Sequence, residues 1–306
     1  MTTPPLLAFI AWTALHAVSQ PTQPVVSWQE LPSAHAVIHI SNAPVKKNPD
    51  DVGVDVTARA ATVVDIASGQ RLFAKNADQA MPIASLTKLM TAMTFLDEHP
   101  QLDRSITITP DDTNVDGHRY FADNERMTES QAFQSMLIGS VNAAANALAH
   151  AEGTRENFIQ AMNQKARTIH LQHAHFVDPV GISPDNQASA EDVAMILRAA
   201  LQYPEIRQAT ELSSIDVPSQ IGHPAYHIVS TDLLIHSYLN APPYRIVLAK
   251  TGSLPEAGFC LAQITRDAQG DQIVVVVLDS QNHLARFQDN KALAAWTFEH
   301  FEWPKI

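Results

Sequence analysis

Apolar and polar positions divide this 306-residue chain into a strand pair, a helical middle and a closing run of strands. Residues 58–66 are mostly β-branched or apolar, Ala67-Ser68-Gly69-Gln70 offers a turn, and residues 71–75 return, which predicts a hairpin. Leu86, Leu89, Met90, Met93 and Leu96 recur at helical spacing and predict a helix that starts at Ser85 and ends near Pro100. A short strand follows over 106–109. Thr128-Glu129-Ser130-Gln131 has the form of a capping box ahead of Phe133, Met136 and Leu137, so another helix opens there. Gly139-Ser140-Val141 interrupts the pattern before an alanine-rich helix over 142–151, and Thr154 caps a helix with Phe158, Met162 and Ala166 on one face. Prolines and a glycine make 176–186 a loop, and Ser189-Ala190-Glu191-Asp192 caps a helix over 193–201. Strands are predicted over 246–251, 257–265 and 272–278, then an amphipathic helix over 283–301. This order predicts an α+β fold: an antiparallel sheet shared by N- and C-terminal segments, flanked by helices, with the helical middle as a subdomain.

The N-terminus reads differently. Leu6 to Leu15 is an apolar run of signal-peptide length, too short to span a bilayer, and Ala17-Val18-Ser19 supplies the small residues a signal peptidase needs. Met1-Thr2-Thr3-Pro4-Pro5 lacks the usual basic residue, and a buried N-terminal helix is the competing reading. The expected organisation is a signal peptide over 1–19, a proline- and serine-rich linker over 20–51, and one catalytic domain over 52–306.

Composition narrows the class. Hydrophobic residues at 45% and charged residues at 17% give an ordinary globular balance. A net charge of −12, with no run of lysine and arginine, argues against a nucleic-acid partner. The single cysteine, Cys260, removes an intrachain disulfide framework and any cysteine-rich metal site. His170, His173 and His175 lie close together but lack a carboxylate at zinc spacing, so they read as a helix end and a loop, and no metal or cofactor is expected.

Three short stretches carry candidate chemistry. Ser85 and Lys88 are three residues apart at a helix start, where a hydroxyl and an amine share a face. A serine needs a base within reach, and lysine is such a base only when burial or a neighbouring cation lowers its pKa. Most Ser-x-x-Lys spacings are a surface serine and a solvated lysine. Ser140 and Asn142 lie between two helices, where a loop can aim a hydroxyl and a carboxamide into a cleft; alone they read as an ordinary cap. Lys250-Thr251-Gly252 ends a hydrophobic strand, with the lysine and threonine placed to face a ligand and Gly252 letting a substrate backbone approach. All three in order, each on the element its role needs, resist the bland reading.

The trio is the signature of penicillin-binding proteins and class A β-lactamases. From about residue 55 the chain resembles the low-molecular-mass penicillin-binding proteins, the D-alanyl-D-alanine peptidases, with their β-lactamase/DD-peptidase-like fold. The resemblance extends through residues 84–92, 158–163, Phe176-Val177-Asp178-Pro179-Val180-Gly181 and Ser189-Ala190-Glu191-Asp192. Residues 203–207, Lys250-Thr251-Gly252 with Ala257-Gly258, and Leu278-Asp279-Ser280 look most like the endopeptidase branch, of the penicillin-binding protein 7 type. The resemblance implies that Ser85 attacks a D-alanyl peptide bond while Lys88 takes its proton. It further implies that Ser140 relays a proton to the leaving amine and that Asn142 holds Lys88 and the substrate amide. Lys250 would keep the site positive and depress the pKa of Lys88, and Thr251 would bind the carboxylate beside the scissile bond. Backbone N–H groups of Ser85 and Ser253 would form the oxyanion hole. The implied partners are peptidoglycan stem peptides, with β-lactams as covalent inhibitors of Ser85.

Two departures refine this expectation. No glutamate lies between Phe158 and Gln187, where a β-lactamase keeps its deacylation base, so efficient β-lactam turnover is not expected. Ser253-Leu254-Pro255 follows the third motif where relatives usually place an aromatic, which bears on substrate fit. The expectation is a secreted periplasmic serine peptidase without a membrane anchor after signal cleavage, acting on cross-links. Its rivals are a carboxypeptidase trimming pentapeptide tails with the same residues, and a non-catalytic penicillin-binding scaffold.

Overall fold

The computed structural model describes residues 43–304, apart from 116 and 152. The expected signal peptide and the linker up to residue 42 lie outside the described residues. The end of that linker is part of the folded body. Its strand β1 (Val45–Lys46) pairs antiparallel with Phe301–Glu302 at the far end of the chain, and Trp296 donates its indole N–H to Asp51 at 2.9 Å.

The predicted hairpin is β2 (Ala60–Asp65) with β3 (Arg71–Lys75). After β4 (Met81–Pro82) come a 3₁₀ turn, Ala84–Leu86, and α1 (Thr87–Asp97). The helical middle holds β5 (Ser105–Ile108), α2 (Pro110–Thr113), β6 (Glu125–Thr128), α3 (Glu129–Ile138), α4 (Asn142–Ala149) and α5 (Arg155–Thr168). The chain returns through β7 (Gln187–Ala188), which pairs with β4, then α6 (Ala190–Ala200), α7 (Pro204–Thr210) and the hairpin β8 (Ser214–Val217) with β9 (Tyr226–Val229). Three long strands, β10 (Arg245–Leu254), β11 (Gly258–Arg266) and β12 (Gln272–Ser280), precede α8 (Ala285–His300) and β13 (Phe301–Glu302).

Patterning did not predict α7, β8 and β9. Each is seven residues or fewer, shorter than the window over which a period shows.

The central sheet runs β10-β11-β12-β2-β3, antiparallel throughout, so N- and C-terminal segments do share it. On β12, Val274, Val276 and Leu278 enter the core beneath α1 and α6, while Ile273, Val275 and Val277 enter the core beneath α8. The unbroken apolar run of β12 from Ile273 to Leu278 therefore follows from burial on both faces. Helix α1 is buried along almost its whole length, from Thr87 to Phe95, which places it inside the body. The predicted caps form: Thr128 Oγ1 accepts from Gln131 N–H at 3.1 Å and Gln131 Oε1 accepts from Thr128 N–H at 2.9 Å. Ser189 and Asp192 repeat this reciprocal pair at the start of α6. β10, an edge of the central sheet, packs against the turn at residues 84–86, and its Lys250 reaches Ser140 ahead of α4.

Candidate active site

Ser85 lies on the 3₁₀ turn rather than in the first turn of α1, and Lys88 is the second residue of that helix. The turn runs directly into α1, so residues three apart across the junction share a face and the two groups meet. Lys88 Nζ lies 2.9 Å from Ser85 Oγ and donates at 2.8 Å to both Asn142 Oδ1 and the Val180 carbonyl. Lys88 is fully buried. Burial pushes its pKa down to about 7, with the Asp178 carboxylate acting in the opposite direction. Of the two causes left open for this depression, burial or a neighbouring cation, burial is the larger.

Ser140 sits in the break between α3 and α4 at φ +57°, and Ala84, beside the nucleophile, at φ +48°. Among the described non-glycine residues in the left-handed region, the others are all Asn, Asp or His, which tolerate it; alanine and serine do not. Such strain concentrates at functional sites. Lys250 Nζ donates to Ser140 Oγ at 2.8 Å and to the Thr251 carbonyl at 2.9 Å. Its pKa is pushed well down by burial, then by the charges of Lys88 and Arg286, with Asp232 opposing. Two buried lysines on one cleft thus each disfavour the other's charged form.

Thr251 and Thr231 face each other with their hydroxyls 2.6 Å apart. Gly252 serves a different neighbour from the one expected. A Cβ at this position would lie 2.9 Å from the Ile83 carbonyl and 3.1 Å from Ser85 N, so its bareness lets β10 pack against the nucleophile turn. Ser253 is exposed at the mouth of the cleft. Together these groups line a hollow of about 350 Å³ that includes Ser85, Ser140, Thr231, Thr251, Ser253 and Arg286. A larger hollow of about 800 Å³ lies at the other end of β10 around Tyr244 and Arg266, away from all three motifs.

The structure adds residues that the motifs did not mark. Arg286, from the first turn of α8, donates to the Gly252 carbonyl at 3.0 Å, and burial lowers its pKa to about 10. Burial raises the carboxyl of Asp232, next to Thr231, to about 6 against the pull of Leu234 N–H, Arg286, His236 and Lys250. Val180 and Asp178 come from the loop read from its prolines, which gave no hint of a role. Arg286 had no sequence signal, since only the sheet brings it beside Gly252.

A serine–lysine pair beside a sheet edge, roofed by a helical subdomain, is the architecture of a serine peptidase of the β-lactamase/DD-peptidase-like fold. A D-alanyl-D-alanine carboxypeptidase from Mycobacterium tuberculosis H37Rv superimposes with a TM-score of 0.74 at 27% identity, over 83% of this chain and 96% of that one. The sequence profile described as D-alanyl-D-alanine carboxypeptidase matches residues 44–282, and the chain belongs to that family. It is 31% identical over 262 residues to a D-alanyl-D-alanine endopeptidase of Pseudomonas aeruginosa, covering 84% of this chain and 82% of that one. It is 30% identical over 249 residues to the D-alanyl-D-alanine endopeptidase of Escherichia coli K12, with 79% and 77% covered.

Proposed function

We propose that this serine D-alanyl-D-alanine peptidase works through an acyl-enzyme on Ser85, cutting D-alanyl bonds of peptidoglycan stem peptides, with cross-links as its preferred substrate. The observation that carries the reading is the surrounding of Lys88 Nζ. A neutral amine has two N–H donors and one lone pair. Asn142 Oδ1 and the Val180 carbonyl can only accept, so they take both protons. The lone pair is left for the Ser85 hydroxyl, 2.9 Å away.

Lys88 then removes the Ser85 proton as Oγ bonds to the substrate carbonyl carbon. Backbone N–H groups at Ser85 and Ser253 receive the developing oxyanion, and Gly252 keeps the Ser85 N–H unobstructed. Ser140, bonded to Lys250, passes its proton to the departing amine as the C–N bond breaks and takes up the proton that Lys88 removed from Ser85, so Lys88 is neutral again. Thr251 with Thr231, backed by Arg286, receives the carboxylate next to that amine. Water then attacks the acyl carbon; Lys88 takes a proton from it and returns that proton to Ser85 Oγ as the ester bond breaks, which releases the acid and restores the enzyme. β-Lactams present a comparable carbonyl and carboxylate and acylate Ser85.

The endopeptidase preference rests on the relatives: those from Pseudomonas aeruginosa, Escherichia coli and Haemophilus influenzae, at 30–31% identity, are named endopeptidases. Peptidoglycan lies outside the cytoplasm, so the account includes export directed by residues 1–19 to a periplasmic site of action. The test is cleavage of purified cross-linked muropeptide dimers against monomeric pentapeptides. Conversion of dimers to monomers as the faster reaction is expected. Faster loss of terminal D-alanine would favour the carboxypeptidase reading, and cleavage of neither would favour a non-catalytic scaffold.

A further inference from the structure

The Val180 carbonyl completes the aim of Lys88, yet a carbonyl in a loop needs something to hold it. That something is Asp178. Its Oδ1 accepts from Val180 N–H at 2.7 Å and Gly181 N–H at 2.6 Å, and its Oδ2 accepts from Ser183 N–H at 2.9 Å and Asn186 Nδ2 at 2.8 Å. Four donors on one buried carboxylate fix the turn Asp178-Pro179-Val180-Gly181 from inside. Helix α1 clamps it from outside, where Thr91 Oγ1 donates to the Pro179 carbonyl at 2.6 Å. Gly181, at φ +86°, is pressed so close that a Cβ would lie 2.0 Å from the Ala84 carbonyl. The loop and the nucleophile turn are thus one packed unit.

We propose that Asp178 is a positioning residue for the general base: it holds the Val180 carbonyl against Lys88 and stations a negative charge behind the amine. The inference rests on the assignment of Lys88 as base to Ser85. The charges that face Lys88 are Asp178 from this loop and Lys250 from β10. They act in opposite senses: the carboxylate favours the ammonium form, the second lysine the neutral form. Desolvation alone would leave Lys88 neutral but weakly basic, a poor acceptor for a serine proton. The carboxylate, two residues from Val180 in the same turn, restores basicity, while burial leaves a substantial neutral fraction of the amine near pH 7. Asp178 therefore balances two requirements, a free lone pair and enough proton affinity to use it.

The test is the pH dependence of Ser85 acylation by benzylpenicillin in the full chain, comparing the wild type with Asp178→Asn. Acylation needs neutral Lys88, so its rate falls on the acid side. Removing the carboxylate lowers the proton affinity of Lys88 and is expected to move that acid limb down by about one pH unit, with a several-fold slower plateau. A merely structural role predicts the reverse: a loosened loop admits water, relieves desolvation and moves the limb up. An acid limb that stays in place or rises overturns the proposal. Should Asp178→Asn fail to fold, the exchange Asp178→Asn with Asn186→Asp restores a donor opposite an acceptor and shifts the charge away from the Val180 end. It is expected to lower the limb by a smaller amount, and an unmoved limb there overturns the proposal too. Failure of the wild type itself to acylate at Ser85 would instead overturn the parent mechanism, so the two failures are distinguishable.

Discussion

At the scale of single residues, the account turns on an amine kept neutral by burial. Lys88 sits at about pH 7 for its protonation midpoint, far below the ordinary 10.5 of lysine. Its neutral form is the base, so wild-type acylation should rise as pH rises through about 7 and level off above it. Lys88→Arg keeps a long cation but can never deprotonate; its acylation rate should fall by roughly 100- to 10,000-fold, read from the same kinetics. Gly252→Ala adds a methyl 3.1 Å from Ser85 N and should slow acylation more than it lowers the melting temperature. Sequence alone marked Ser85, Lys88, Ser140, Asn142, Lys250 and Thr251 because each stands in a short motif. It missed Arg286 and Asp232, whose places are set by packing between elements far apart in the chain. It left open whether burial or a neighbouring cation depresses Lys88, since desolvation depends on what covers a residue and no motif records that.

At the scale of elements, caps and turns decide where the motifs point. The long elements were legible because their periods run over many residues and because Thr128, Thr154 and Ser189 announce helix starts. Short pieces such as α7 and the β8–β9 hairpin carry too few positions for a period. Thr128→Ala removes half of the reciprocal cap on α3 and should cost about 1 kcal/mol, a fall of about 2–4 °C in melting temperature, with acylation unchanged. The far end of α4 offers a pH-dependent counterpart. His150 Nε2 and Asp112 Oδ1 are 2.9 Å apart, and the hydrogen bond to Asp112 raises the His150 pKa above 6.5. Burial works to raise Asp112, but bonds from His150 and Thr109 outweigh it and hold that carboxyl below 3.8. The histidine's contribution is complete below 6.5 and fades as pH rises through its raised value, while the aspartate's is complete above 3.8 and fades below it. His150→Gln should therefore lower the melting temperature most between about 3.8 and 6.5, and less in alkaline buffer.

At the scale of the molecule, sheet and helical subdomain exist to bring three distant stretches to one cleft. The turn at residues 84–86 comes from one side, the head of α4 from another, and the free edge of β10 closes the third. Its strand order explains why the catalytic elements are spread over 168 residues of sequence, from Ser85 to Ser253. β1 with β13 forms a separate two-stranded sheet that ties residues before the hairpin to those after α8. Ser85 as the nucleophile of the cleft is the central claim. The measurement that reaches it most directly is intact-protein and peptide mass spectrometry after exposure to benzylpenicillin, with Ser85→Ala in parallel. The account predicts a covalent adduct that maps to the peptide containing Ser85 and is absent from the substituted protein. An unmodified wild type with intact antibiotic, or an adduct that persists in Ser85→Ala, would contradict it.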